Sequence, residues 1–384
     1  TYVNPFTLLA GDRIYTVNII NSLLDLGHSI DFLYYNSEPV QPLIPDQKGE
    51  LFERHLALDF KRKSNLRLVF SNLPGMVASR RTTEYLQQIR TWTNNKKYDV
   101  AIINHLRMGF CMEALPDTVK TIYASHNAEY LLSLNNYRNE RNALKKLVYA
   151  WDAFRTRRFE KKLLEGIDAC TAICEFDLEY LRGINGVSTS LLRPVLSGGE
   201  TGVNSKQEFL KNLRKLIVVG SFTWGPKAEN IRSLVRAYDE NNMDSKGFEL
   251  HVVGRIEDEL AKQLKNMCPA VHISGQVVDL EKYYSKCSVA LIPEVMGGGF
   301  KLKVAEAGMY KKAIFSVKGA ITKSNLKPNI HFTESKNLDE LMNNLIDKEK
   351  KPNELWKMAE LAHEKVNEEY TQEAISKELK PLLQ

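Results

Sequence analysis

The sequence predicts an α/β protein of two doubly wound parallel-sheet domains, and three observations carry that expectation. Strand-like apolar runs alternate with helix-period segments along the chain. Runs such as Val100–Asn104 and Thr121–Ser125 are apolar through their centres without a polar alternation, as strands buried on both faces must be. The alternation is broken once, by the polar, glycine-rich stretch Ser197-Gly-Gly-Glu-Thr-Gly-Val-Asn-Ser205, and 384 residues suit two domains.

The elements follow in order. Thr1-Tyr-Val3 reads as the end of a strand. Ile19, Ile20, Leu23 and Leu24 share one face of a helix from Asp12 to Leu26, preceded by Gly11 and ended by Gly27. Ile30–Tyr35 is a strand, and the proline-rich residues 39–45 form a loop. Strands at 100–104 and 121–125 lead to a helix from about Asn142 to Glu165 and a strand at Ala169–Cys174. These make a first domain of residues 1–196, followed by a linker, 197–212. The second domain, 213–365, has strands at 216–219, 249–253, 271–274 and 288–292. Its helices start at Pro226, a good first-turn residue, and cover 256–266 and 279–286. A C-terminal helix, 366–384, is expected to pack back toward the first domain.

Composition bounds the function. A chain that is 43% hydrophobic and 26% charged is globular, and a net charge of +6 permits an anionic partner. No basic run is interleaved with aromatics, which argues against nucleic acid. The cysteines at 111, 170, 174, 268 and 287 lack zinc-ligand spacing. They read as buried reduced thiols of a cytoplasmic protein, with no metal expected. No apolar run approaches the ~18 residues a membrane span needs.

The segment from Ser288 to Met309 carries the chemistry. A buried strand, 288–292, stops at Pro293 and enters a loop with Gly297, Gly298 and Gly299. A helix follows with Leu302, Ala305 and Met309 on its inner face. Strand, glycine loop and helix start together present N–H groups and partial positive charge to an anion. Lys301 and Lys303 in the first turn oppose the helix dipole, which an anionic ligand would explain. Neither G-x-x-x-x-G-K-[ST] nor G-x-G-x-x-G is present, so by loop chemistry alone an ordinary surface turn competes evenly with a phosphate site.

Pro293-x-x-x-Gly297-x-Gly299-x-Lys301-x-Lys303-x-x-Glu306-Ala307 resembles the donor-site segment of family-4 retaining glycosyltransferases of the GT-B fold, the bacterial-type group 1 enzymes. Leu216-Ile-Val-Val-Gly-Ser-Phe-Thr-Trp-Gly-Pro-Lys-Ala-Glu-Asn230 is similar to the first strand–loop–helix of the family's C-terminal domain, with Ser221 where many relatives have Arg. Thr121-Ile-Tyr-Ala-Ser-His-Asn-Ala-Glu129 looks like its strand ending in His-Asn-x-Glu. Two departures stand out. Gly298 replaces a Glu that many members direct at the donor sugar, as in one branch of the family. Arg193-Pro-Val-Leu-Ser-Gly-Gly199 replaces the usual segment before the linker.

The resemblance implies two Rossmann-like domains facing a central cleft. It implies transfer of a sugar, of hexosyl type, from a nucleotide-diphosphate sugar to a glycan, lipid-linked or other hydroxyl acceptor with retention. No metal or cofactor is expected, which agrees with the absence of Asp-x-Asp. Gly297, Gly298, Gly299, Phe300, Lys301, Lys303, Ser221 and Lys227 would bind the donor diphosphate, and Glu306 the ribose. His126 would be catalytic. Gly11, His105, Asn127, Glu129 and Glu175 would line the acceptor side or the cleft. A non-catalytic GT-B subunit binding glycan or a partner protein, and a nucleotide-sugar epimerase, are the alternatives.

Each site has a plainer reading. Glu306 could simply pair with Lys303 on the helix surface. His105 and His126 could be satisfied structural residues, and Glu175 a helix-start acid. On the helix at 142–165, Leu144, Leu147, Val148, Trp151 and Phe154 form a stripe flanked by Lys145, Lys146, Arg157 and Arg158. The reading taken is a core-packed crossover helix with a solvated basic face; peripheral contact with an anionic membrane surface is the alternative.

Overall fold

The structure, a computed structural model, describes residues 1–6, 11–36, 52–60, 63–196, 203–223, 225–294, 301–321 and 323–384. It divides into two compact units. The first comprises Thr1–Val195 with Gln372–Gln384, the second Leu196–Thr371.

In the first unit, α1 (Gly11–Asp25) leads to β1 (Ile30–Asn36) and β2 (Phe52–Asp59), which pair in parallel. Three helices follow: α2 (Asn65–Val69), α3 (Gly75–Arg80) and α4 (Thr83–Asn95). A sheet of β3 (Val100–Asn104), β4 (Lys120–Ala124), β5 (Ala169–Ala172) and β6 (Ser188–Leu191) is parallel throughout and ordered as in the sequence. A 3₁₀ helix, Leu106–Glu113, follows β3. Helices α5 (Glu129–Asn139) and α6 (Ala143–Gly166) lie between β4 and β5, and α7 (Glu175–Asn185) between β5 and β6. The charged, half-exposed β2 and the Ser/Thr-rich β6 show no apolar run, so periodicity did not reveal them.

Residues 1–3 form no strand; Tyr2 and Val3 enter the core instead. The Thr1 nitrogen donates to the Leu33 carbonyl at 2.7 Å, and its hydroxyl accepts from Asn104 Nδ2 at 3.1 Å. Among the described residues no strand pairs with the free edges of β1 and β3 there. A cavity of about 670 Å³ is lined by both strands together with Ile19, Leu23, Tyr85 and Leu115.

The first helix of the second unit is α8 (Lys206–Lys211), which falls within the expected linker at 197–212; residues 197–202 of that linker lie outside the described residues. Ser205 caps this helix reciprocally with Glu208, and Phe209 is buried in the second core. Then come β7 (Lys215–Val219), α9 (Gly225–Glu240), β8 (Glu249–Val253), α10 (Asp258–Met267), β9 (His272–Gly275), α11 (Glu281–Tyr284) and β10 (Val289–Ile292). The unit closes with α12 (Leu302–Met309), β11 (Ala313–Val317), β12 (Phe332–Ser335), α13 (Leu338–Glu349) and α14 (Pro352–Glu369). Its six strands are parallel in the order β12-β11-β10-β7-β8-β9. That order reverses between β10 and β7, which opens a crevice at their carboxyl ends.

Helix α14 runs past residue 365 because Val366 and Tyr370 belong to the second core. The final helix, α15 (Gln372–Leu383), belongs to the first unit. There Gln372 donates to Ser22 at 2.6 Å, and Leu382 packs with Ile122 and Ala169. All five cysteines are buried and none forms a disulfide. Among the described residues no helix is long and apolar enough to cross a membrane.

One expectation is overturned by α6. Its buried residues are Ala153, Arg155, Thr156, Glu160, Leu163 and Leu164, all in the second half. The stripe expected in the core lies in solvent: Leu144 is 77% exposed, Leu147 69% and Phe154 58%. Its first half pairs with α5 as a helical hairpin that extends beyond the residues packed on the sheet.

Candidate active site

In the second unit the site forms where the strand order reverses. Gly220 follows β7 and Gly254 follows β8, and their backbones nearly touch. Gly254 has φ +131°, and a Cβ there would lie 1.8 Å from the Gly220 carbonyl oxygen. Only glycine fits. Hydrogen bonds fasten the loops after these strands: Gly220 N–H to Val253 O at 3.1 Å, Gly254 N–H to Gly275 O at 2.7 Å and Phe222 N–H to Arg255 O at 2.7 Å.

Helix α12 brings the charged groups to this crevice. Val304, Ala305, Ala307, Gly308 and Met309 face inward, and Gly308 lets the helix seat closely on α14: a Cβ there would lie 2.7 Å from Val366 Cγ2. The opposite face carries Lys303 and Glu306. Lys303 Nζ donates to the Val219 carbonyl at 3.3 Å and pairs with Glu294. Lys301 Nζ donates to the Ala320 carbonyl at 2.7 Å.

Burial, followed by the nearby Lys227 charge, lowers Lys301 to about 8. The same causes lower Lys303 to about 7, with Glu306 opposing. The Glu294 carboxylate also favours the ammonium form of Lys303. Burial raises Glu306 to about 7, and Lys303 pulls it back. Two half-buried lysines, with the exposed Lys227 nearby, thus stand against the carboxylates of Glu294 and Glu306, an excess of basic groups at the crevice. Lys227 and Ser221 are exposed, and Ser221 shares a 3.2 Å hydroxyl contact with Thr223. Gly297, Gly298, Gly299 and Phe300 lie outside the described residues.

Glu294 is a site residue that the sequence reading passed over. It is 8% exposed, and its Oε2 has no hydrogen-bond partner among the described residues. An acid directly after Pro293, where a buried strand ends, was the available signal. Elsewhere, Glu249, His251 and His272 bring possible metal-ligating atoms within 4.8 Å. They lie toward the opposite ends of β8 and β9, with stacked imidazoles 4.7 Å apart.

In the first unit, the ends of β3 and β4 bring His105 and His126 together, with ring centroids 5.0 Å apart. Both are buried. His126 Nε2 lies 2.7 Å from Asn104 Oδ1, while Asn104 Nδ2 donates to Thr16 Oγ1 at 2.8 Å. Asn104 therefore offers its oxygen to the ring, so His126 carries its proton on Nε2. Its Nδ1 is left as a buried acceptor with no partner among the described residues. Burial lowers His126 to about 4 against the pull of Asp12, so the ring is neutral at ordinary pH.

His105 has φ +76°, rare for a residue with a side chain, and it ends β3 with that turn. Its Nδ1 accepts from the Arg107 N–H at 3.2 Å, and its Nε2 lies 3.4 Å from Glu129. Burial, then His126 and Arg107, hold it well below the usual histidine range. Asn127 donates to Glu129 at 3.4 Å. Glu160, also missed from sequence, accepts the Glu129 N–H at 2.8 Å and the Tyr130 N–H at 3.3 Å, which anchors the start of α5. Glu175 starts α7 and pairs with Arg193. Gly11 starts α1, and a Cβ there would touch nothing within 4 Å.

These features define a class: a two-unit parallel α/β protein whose second unit holds a cationic crevice at its strand-order reversal. The comparisons carry the class further. Residues 214–346 match the family model of Glycosyl transferases group 1, so a domain of that kind makes up most of the second unit. No curated protein matches the chain by sequence.

Among solved structures, sucrose-phosphate synthase of Thermosynechococcus elongatus matches with TM-score 0.72 at 15% identity, covering 99% of this chain and 95% of that one. HepE of Anabaena, solved in complex with UDP, matches with TM-score 0.68 at 9% identity, covering 100% and 98%. A glycosyltransferase from Rickettsia africae matches with TM-score 0.65 at 13% identity, covering 98% and 95%. The fold is GT-B, with Rossmann-like parallel sheets in both units.

Proposed function

We propose that the chain is a glycosyltransferase that moves a sugar, of hexosyl type, from a nucleotide-diphosphate sugar to a hydroxyl on a glycan or lipid-linked acceptor. Retention of anomeric configuration and independence from metal are part of the proposal. The observation that carries it is the excess of lysine charge at the β7–β10 reversal, fixed beside Glu294 and Glu306. An anion entering there gains from ammonium groups already desolvated and fixed in place, so little reorganisation opposes it.

As the donor bond breaks, the departing diphosphate gains negative charge. Lys303, Lys301 and Lys227 would stabilise it, strengthening their contacts most in the transition state. Glu306 lies a turn into α12, beyond the phosphates at its start, and would accept the ribose hydroxyls. His126 Nδ1 would accept a sugar hydroxyl as a neutral positioning group, without taking a proton. HepE has been solved with UDP and with UDP-glucose, which supports a nucleotide-sugar donor for this chain too.

The test is calorimetric titration with UDP, GDP and dTDP, followed by mass-spectrometric detection of donor turnover over the matching sugars. Tight diphosphate binding with slow hydrolysis or transfer is expected. Failure of every nucleotide to bind would leave a non-catalytic subunit. Conversion of a donor to its epimer without acceptor would replace transfer by epimerisation.

A further inference from the structure

The exposed first half of α6, in the α5–α6 hairpin of the first unit, takes no part in the proposed chemistry, and its surface is unlike that of the other described residues. Leu144, Leu147, Val148, Tyr149, Trp151 and Phe154 all lie exposed on the first half of α6. Phe70, 80% exposed, joins them: the Val69 carbonyl accepts from Trp151 Nε1 at 3.2 Å and from Arg155 Nη1 at 3.1 Å, which ties that segment to the helix. Most of the large exposed apolar side chains among the described residues are gathered here. The rings of Trp151 and Phe154 stack with centroids 5.7 Å apart.

Charge selects the occupant. Between Arg138 and Arg158 the sequence has seven basic side chains and two acidic ones. Arg155 is buried against backbone carbonyls and Asp152, which leaves six basic side chains against Glu140 alone, so the outward charge is strongly positive. Lys145 lies within the apolar stripe. Arg157, Arg158 and Lys161, three to seven residues past Phe154, continue the same side of the helix as exposed cations. The apolar portion from Leu144 to Phe154 is about 15 Å long. Apolar and aromatic side chains along one stretch of helix, flanked by cations both near the tip (Arg141, Lys145, Lys146) and beyond Phe154 (Arg157, Arg158), suit an anionic bilayer surface, the apolar groups at the acyl boundary and the cations among the headgroups. Protein interface cores, by contrast, are depleted in lysine.

We propose that this hairpin docks the protein peripherally on membranes carrying anionic lipid, with Leu144, Leu147, Trp151 and Phe154 entering the headgroup boundary and Lys145, Lys146, Arg157 and Arg158 binding the headgroups. It stands apart from the catalytic reading, because vesicle binding needs no donor.

The test is flotation with phosphatidylcholine vesicles, with and without phosphatidylglycerol, at low and high salt. Flotation with the anionic vesicles at low salt, at least about tenfold weaker with neutral vesicles or at high salt, is expected. Lys145→Gln with Lys146→Gln, Arg157→Gln and Arg158→Gln should abolish the dependence on anionic lipid. Leu147→Gln with Phe154→Gln should lower binding at any salt; these side chains are exposed, so circular dichroism should not change. Absence of flotation from all vesicles, or flotation indifferent to both variants, overturns the proposal. So does sedimentation equilibrium showing a dimer that the Leu147/Phe154 variant dissociates, since the face would then be covered by a second copy.

Discussion

The two units hold their charged groups in opposite ways. In the first, His105 and His126 are buried rings kept neutral, with all but one of their nitrogens occupied by Asn104, the Arg107 N–H and Glu129. In the second, Lys301 and Lys303 are desolvated beside a third lysine, with carboxylates that offset only part of the charge. A neutral, hydrogen-bonded cluster can position a polar sugar group through one open acceptor. A cluster with uncompensated charge binds an anion and responds to charge developing on it. Under the proposed function, charge stabilisation would fall to the second unit and positioning to the first.

Lys303→Gln should give the largest effect, slowing turnover by about 10²- to 10³-fold, as loss of one preorganised charge partner does. It should weaken nucleoside diphosphates far more than the bare nucleoside. Equal weakening of both would move Lys303 out of the phosphate role. Glu306→Ala should weaken nucleotide binding about ten- to a hundredfold, the loss of one charge-assisted hydrogen bond. A 2′,3′-dideoxy nucleotide should bind wild type and variant alike; if both ligands weaken together, Glu306 serves to hold Lys303 instead.

The pH dependence sharpens the contrast. Lys303 and Lys301 sit at about 7 and about 8 without ligand, and an anion favours their protonated forms. Below about 7 they are already charged and diphosphate affinity is greatest. As pH rises through 7 to 8, binding must take up a proton, and affinity should fall by up to about tenfold per pH unit per lysine. Glu306, at about 7, titrates in the opposite sense, so bare nucleoside should bind better as it ionises. Calorimetry in buffers of different ionisation enthalpy reads the proton uptake directly; none at pH 8 would break the account.

A smaller effect is expected from His126→Asn, about tenfold or less in kcat, with a pH–rate profile unchanged in shape between pH 5.5 and 7, because the wild-type ring is already neutral there. Disappearance of an acid limb in the variant would make His126 a proton-transfer group. Least of all should change on adding EDTA: with lysines serving the diphosphate, turnover should survive, and loss restored by magnesium would overturn the metal-free reading.

The chain's local pattern determined most of the parallel framework. Val289–Ile292 appears where its apolar run places it, because a strand buried on both faces must be apolar whatever surrounds it. It also marked Lys301, Lys303 and Glu306, whose spacing on a helix after a strand end is a local property. Tertiary structure decided what depends on residues distant in sequence. Gly254 needs its missing Cβ because Gly220 lies against it, and Glu294 matters because Lys303 reaches it. His126 offers Nδ1 as an acceptor because Asn104, 22 residues away, accepts the hydrogen bond from its Nε2–H. The stripe on α6 carries the same periodicity whether it packs or projects. Only the place where the sheet stops supporting the helix leaves Leu144, Leu147 and Phe154 in solvent, since helical period records that one face is apolar and not what that face meets.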